Sequence, residues 1–167
     1  MKKLFTILIL LFLIIGIFTI SYLKNLSQFP KPVGKIVITN NEKLNVNINK
    51  FMETQKSKRD LGKDNYHCAN HIYGYDEQYA YAWVYCSGLV TKSNGKMEQG
   101  TAFSIPTRLA YKLPDFHIVS FKQQGDDNAN PSLQQLFPKQ LYDLAIKQTL
   151  LPEIQQFDQE IKAKIKQ

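Results

Sequence analysis

The sequence predicts an α+β fold: an N-terminal transmembrane helix, then a helix packed on a four-stranded antiparallel meander, then C-terminal helices. Three observations predict it. The run Leu4–Leu23 carries no charge. Between Tyr66 and Gln123 lie four stretches rich in aromatic and β-branched residues, separated by turn-forming residues. After Asn130-Pro131 the apolar residues return at helical spacing. With 167 residues, 44% of them hydrophobic, the chain can build one ordinary core but not two.

The N-terminal segment comes first. Twenty residues, Leu4 to Leu23, follow Met1-Lys2-Lys3. At 1.5 Å per residue they span about 30 Å, the thickness of a bilayer core. A cleaved signal peptide starts the same way but has a shorter apolar region and a small-x-small cleavage site. Here the run is rich in Leu, Ile and Phe, and its best triplet, Thr19-Ile20-Ser21, lacks alanine. No cysteine near its end could accept a lipid. Residues 1–24 therefore read as an uncleaved signal anchor. The alternative is cleavage, leaving a secreted or periplasmic domain. The anchor reading places the chain in a bacterial inner membrane as a single-pass protein with its C-terminal domain extracytoplasmic. Residues 25–34, with Pro30 and Pro32, read as a linker, 35–151 as the α+β domain, and 152–167 as a closing amphipathic helix.

Within the domain, Ile36–Ile38 reads as a short strand. Asn41–Lys58 is ambiguous at its start. Leu44, Val46 and Ile48 alternate as in a strand, while Leu44, Ile48, Phe51, Met52 and Gln55 keep helical spacing. Length favours a helix from Asn47 onward and leaves 41–48 open. Leu61–Asn65 is a polar loop. The first two strands flank a loop of Asp76, Glu77 and Gln78, which sets Tyr75 opposite Tyr79 and Cys68 opposite Cys86. Ser93-Asn94-Gly95-Lys96 signals a two-residue hairpin that pairs Ser93 with Lys96. The third strand, Met97–Tyr111, contains Pro106, which requires a bulge or an unpaired edge. Leu113-Pro114-Asp115 turns into a fourth strand, Phe116–Gln123. Gly125–Asn130 is a loop, Asn130-Pro131 opens a helix, and helices follow at 132–136 and 138–150. Cystatin-like and NTF2-like folds share this order of one helix and four strands, and are the candidate arrangements.

In a translocated chain Cys68 and Cys86 are expected to form a disulfide. Directly opposed strand residues bring their Cβ atoms near bridging range. A redox pair would call for close CxxC spacing, which is absent. The same registers sort the strands into two faces. One collects Cys68, Ile72, Ala80, Ala82, Val84, Cys86, Phe103, Ile105 and Leu109, with Val119 and Phe121, and its small residues leave room for a helix. The other collects His67, His71, Tyr73, Tyr79, Tyr81, Trp83, Tyr85, Ser104 and Arg108. Two readings of this second face stand side by side. It is an open binding face carried by His71, Tyr73, Tyr81, Trp83, Tyr85 and Arg108, or the C-terminal helices cover it and each hydroxyl finds a partner.

The chemistry is sparse. Setting aside Lys2, Lys3 and Lys24 leaves 18 basic against 14 acidic residues, a net of +4. The densest basic run, Lys50, Lys56, Lys58, Arg59 and Lys63, is diluted by Glu53 and Asp60, so no nucleic-acid surface is assigned. His67 and His71 on one strand lie about 13 Å apart, too far to share a metal. His117 is isolated. Gly125–Asn130 lacks the alternating acids and distal Glu of an EF-hand. No nucleophile elbow, phosphate loop or dinucleotide fingerprint occurs. No catalytic residue, metal or cofactor is assigned. A set of Ser104, His71 and an acid supplies only a third reading, a cryptic hydrolase.

From Tyr66 to Pro138 the chain carries a series of short matches. They are Tyr66-His67-Cys68-Ala69, Tyr81-Ala82-Trp83-Val84-Tyr85-Cys86 and Asn94-Gly95-Lys96-Met97-Glu98-Gln99-Gly100. Ser104-Ile105-Pro106, Gly125-Asp126-Asp127 and Leu136-Phe137-Pro138 complete them. In these it resembles a family of small, uncharacterised exported bacterial domains, signal-bearing or lipidated. The resemblance implies export and no established activity; the missing lipid-acceptor cysteine is a departure. The functional expectation is a non-enzymatic, membrane-anchored extracytoplasmic module that binds an envelope protein or a ligand. The alternative is a structural component of an envelope assembly with an NTF2-like periplasmic domain.

Overall fold

The computed structural model describes residues 2–59, 65–124, 132–147 and 152–165. In chain order the elements are α1 (Lys2–Leu26), α2 (Glu42–Arg59), β1 (Asn65–Tyr75), β2 (Tyr79–Thr91), β3 (Met97–Lys112) and β4 (His117–Gln123). Three helices follow: α3 (Leu133–Leu136), α4 (Lys139–Lys147) and α5 (Pro152–Ile165). The strands form one antiparallel sheet in the order β1-β2-β3-β4. The α+β class and the meander are as the sequence predicts.

The ambiguous 41–48 stretch is helical from its first turn. Asn41 accepts the Leu44 N–H on Oδ1 at 3.0 Å and the Asn45 N–H on its carbonyl at 2.9 Å, which caps the helix. Leu44, Ile48 and Met52 are fully buried at helical spacing, whereas Val46, the middle of the alternating trio, is 58% exposed. The intervening asparagines serve the sheet. Asn47 donates from Nδ2 to the carbonyls of Asp115 and Phe116, at 2.8 and 3.1 Å.

α2 lies on the small-residue face of the sheet. Beneath it sit Cys68, Ile72, Ala80, Ala82, Val84, Cys86, Leu109, Tyr111 and Ile118, with Phe103 and Phe121 at the margin. Alanines at 80 and 82 let the helix approach closely, which concentrates the apolar burial that stabilises the domain. Val119 departs from expectation. Pairing shifts between Ala110 and Tyr111, so Ile118 turns inward and Val119 stays 43% exposed. Ile105 is only half-buried.

Cys68 opposes Cys86 and the two form a disulfide. Nearer the turn the expected pairing of Tyr75 with Tyr79 gives way to Tyr75 with Ala80, because a bulge falls between Ile72 and Gly74. The second hairpin also differs. Lys92 N–H bonds to Lys96 C=O at 2.9 Å, Gly95 N–H bonds to Lys92 C=O at 2.9 Å, and Gly95 takes φ 78°. That is a three-residue loop with glycine in the left-handed position, not a two-residue turn. The pairing nonetheless returns to the expected one over Tyr79–Ser87, because an irregularity between Ser87 and Leu89 absorbs the offset. Pro106 sits where β4 has ended: the last β3–β4 pair is Thr107 with Gln123, and Pro106 C=O accepts the Gln124 N–H at 3.1 Å. Its missing N–H therefore deprives no ladder partner, which is the unpaired-edge option.

Residues 27–37 lie on the domain. Phe29 packs edge-on against Tyr142, with centroids 5.2 Å apart. Glu77 N–H bonds to Val33 C=O at 3.1 Å, and Val37 pairs with Tyr75 through bonds of 2.8 and 3.0 Å. The expected Ile36–Ile38 strand is thus a single bridge. It needs Gly74: a Cβ there would stand 3.0 Å from the Val37 carbonyl and 3.1 Å from Leu141. α3 starts at Ser132, whose N–H bonds to Gln135 Oε1 at 2.8 Å. The expected helix start at Asn130-Pro131, the loop 125–130 and most of the polar loop 61–65 lie outside the described residues.

α1 is a helix of 25 residues. Among the described residues no helix is long and apolar enough to cross a membrane. The side chains of residues 2–11, which include eight of the twenty residues of the predicted span, lie outside that description.

Candidate functional site

The aromatic face is roofed. α3 and α4 bring Leu136, Phe137, Leu141 and Ala145 over Tyr73 and Tyr81, and both tyrosines are buried, at 3% and 1% exposure. Phe137 meets Tyr81 edge-on, with centroids 5.8 Å apart. α5 lays Phe157 and Ile161 over the other end, beside Leu89. There Phe157 packs edge-on against Tyr85 at 5.1 Å, and the Tyr85 hydroxyl donates to Asp158 Oδ1 at 3.0 Å. Burial, followed by that hydrogen bond, raises the Tyr85 pKa.

The six candidate binding residues therefore divide. Tyr73 and Tyr81 belong to a second core and Tyr85 to a third cluster, as the covered-face reading has it. Trp83, His71 and Arg108 stay half-exposed. Trp83 donates from Nε1 to Ser104 Oγ at 2.7 Å. Arg108 stacks over the Tyr79 ring at 5.0 Å, and His71 meets the Tyr73 ring at 4.8 Å. Ser104 is thus engaged by Trp83. It also stands on β3, one strand beyond β2 from His71 on β1, a separation of about 10 Å. The serine–histidine contact that a hydrolase would need is not made.

Among the described residues a densely connected polar residue is Asp76, which the sequence suggests only as part of a turn. Asp76 is 2% exposed. Its Oδ1 accepts the N–H groups of Gln78 and Tyr79, at 2.9 and 2.8 Å. Its Oδ2 accepts the Val33 N–H at 3.0 Å and the Tyr81 hydroxyl at 2.8 Å. Its carbonyl accepts the Tyr111 hydroxyl. One carboxylate thus joins the β1–β2 turn, the 27–37 strap and the roofed face. Burial, then the Asp76 hydrogen bond, pushes Tyr81 far above the ordinary tyrosine range, so it remains a donor. Burial with the Asp76 charge pushes Tyr111 up to about 12. The only sequence signal for this hub was an acid at the first position of a turn, and that signal cannot separate a solvated turn from a buried one.

The tyrosines make the fold alkali-sensitive. Tyr111 is neutral in the folded state up to about pH 12, against the ordinary tyrosine value of 10.0. A raised folded pKa contributes stability that is fully present below 10 and lost as pH rises through 12. The urea midpoint should therefore fall steadily between pH 10 and 12, and fall less in Tyr111→Phe. An unchanged slope in that variant would show that Tyr111 titrates as if exposed.

Two open cavities flank α2. One, of about 460 Å³, lies between α2 and β4, with Phe51 and Ile118 facing Lys50 and His117. At its rim Lys43 pairs with Asp115 at 2.6 Å; both are exposed, and the lysine hydrogen bond lowers the Asp115 pKa. The other, of about 260 Å³, lies along β1, and the candidate residues His71 and Tyr73 line it. Among the described residues no group of three or more His, Cys, Asp or Glu could hold a metal ion. Compared with family models, curated proteins and solved structures, the chain matches none of them.

Proposed function

We propose that this chain is a membrane-anchored extracytoplasmic domain acting as a non-enzymatic binding or accessory module, like the small exported domains that its sequence resembles. The observation that carries the reading is the surface of α1. Every described large apolar residue from Phe12 to Leu23 is exposed, Phe12 at 70% and Phe18 at 73%. A helix apolar on all sides with nothing packed on it suits lipid and is costly in water. The Cys68–Cys86 disulfide supports an oxidising compartment. The module reading is supported by the engagement of Ser104, whose hydroxyl accepts the Trp83 Nε1–H one strand away from His71. The test is fractionation and mass analysis of the native protein. Residues 1–24 should stay attached, and the protein should resist alkaline carbonate extraction. An added protease should reach the domain only from the extracytoplasmic side. A mature N-terminus near Tyr22 would sink the anchor and leave a secreted domain.

A further inference from the structure

β1 is an edge strand with β2 on one side only. The Cα atoms of Cys68 and Cys86 are 4.1 Å apart, the short spacing of an antiparallel pair whose main-chain groups point away from each other. Cys68 N–H accordingly points off the edge, where Glu53 Oε1 of α2 accepts it at 2.9 Å. Pairing with β2 runs unbroken from Cys68 to Ile72. With a period of two, the main-chain N–H and C=O groups of Asn70 and Ile72 point off the same edge. Past the bulge, Tyr75 exchanges its two bonds with Val37. A carboxylate thus closes the edge at 68 and the strap closes it at 75. Between these points the strap leaves β1 for the Asn41 cap of α2, and the cavity of about 260 Å³ opens along Asn70–Tyr73.

The described walls of this slot carry no acid, lysine or arginine, and they are two-sided. Ile38 and Leu144 form an apolar side, exposed at 60% and 37%. Asn40, Asn45 and Asn70 form an amide side. Asn70 is 4% exposed. It donates from Nδ2 to Asn45 Oδ1 and Asn49 Oδ1, both at 2.7 Å, while its Oδ1 has no hydrogen-bond donor among the described residues. A buried acceptor in that condition costs free energy until a donor reaches it.

We propose that the slot is a strand-addition site for an extended, uncharged peptide segment of a partner protein. The peptide main chain pairs with the outward groups of Asn70 and Ile72. One of its donors reaches Asn70 Oδ1, and a small apolar side chain rests on Ile38 and Leu144. Val37 shows the mode within the chain, since it already docks as extended backbone on this edge. A second copy fits less well. The open stretch is three or four residues, roughly 10–13 Å, and a two-fold β1–β1 pairing would drive each strap and α2 into the other copy. A single extended chain passes between them. The proposal rests on the reading of the chain as a binding module and names the partner's chemistry.

The test uses the full chain in lipid nanodiscs and a phage-displayed library of random heptapeptides as the probe. The best selected peptide is synthesised, and its footprint is read by amide hydrogen exchange. It should slow exchange at Asn70 and Ile72 by about tenfold or more. Leu144→Arg, a surface change that blocks the mouth, should weaken binding about tenfold. Peptides that protect other amides would overturn the slot and leave the binding-module reading standing. No selection above background would overturn both. Protection of Asn70 and Ile72 that rises with protein concentration and needs no peptide would identify a second copy as the occupant, and would also overturn the proposal.

Discussion

Asp76→Ala is expected to be the most destabilising single change in the domain, costing roughly 4 kcal/mol or more. The substitution leaves three backbone N–H groups and the Tyr81 hydroxyl without their acceptor, in a residue environment only 2% exposed. Each buried donor left unpaired costs about 1–3 kcal/mol. Asp76→Asn keeps one acceptor oxygen but turns an amide N–H toward the Val33 donor, so it should cost less than Ala and still be clearly destabilising. Tyr81→Phe removes one of the four donors and leaves Asp76 three, and should cost about 1 kcal/mol. Urea unfolding of the three variants checks the ranking. An Asp76→Ala protein within 1 kcal/mol of wild type would mean that solvent replaces the carboxylate, and that the hub is ornamental.

Replacing both Cys68 and Cys86 with Ala should cost about 2–5 kcal/mol. The bridge closes a short loop across adjacent strands, separated by 18 residues, and Cys86 is fully buried beneath α2. The two alanines keep an apolar contact with the helix, so most of the loss comes from the freed unfolded chain, with a smaller part from the lost sulfur volume. The native protein should show no thiol reactive to an alkylating agent unless reduced. Labelling without reductant would contradict the bridge. A variant as stable as wild type would place the stabilisation in the α2–sheet packing instead.

The disulfide, the meander and the placement of α2 on the alanine face were legible because each depends on local rules. A turn between two β-rich stretches sets the register of Cys68 and Cys86, and small residues on alternate positions mark where a helix can sit. What escaped were one-residue features. The bulge at Tyr73, the three-residue loop ending at Gly95 and the inward turn of Ile118 all depend on how strands accommodate twist and neighbours. The hairpin case is instructive, because the expected pairing over Tyr79–Ser87 is right while the turn that was meant to set it is not. The aromatic face was placed on the correct side of the sheet. Its role rested on whether α3, α4 and α5 return to it, and periodicity alone does not say where a helix docks. The slot beside Asn70 was invisible for a related reason. It arises from where the strap leaves β1, and no residue pattern encodes that departure.

The strap has a mechanical consequence. It enters the domain from α1 and is fastened in sequence at Phe29, Val33 and Val37. It runs antiparallel to β1 at the Val37–Tyr75 bridge. Tension between the helix and the domain therefore passes through three successive attachments, a ring contact at Phe29 and hydrogen bonds at Val33 and Val37. The force is delivered to Asp76 and the β1–β2 turn, whose carboxylate is also tied to Tyr81 beneath the roof. A pull on α1 would first load the contact of Phe29 with Tyr142 on α4, and then the bonds at Val33 and Val37. The domain is thus held to the segment that follows its helix at three points along the strap, rather than at one.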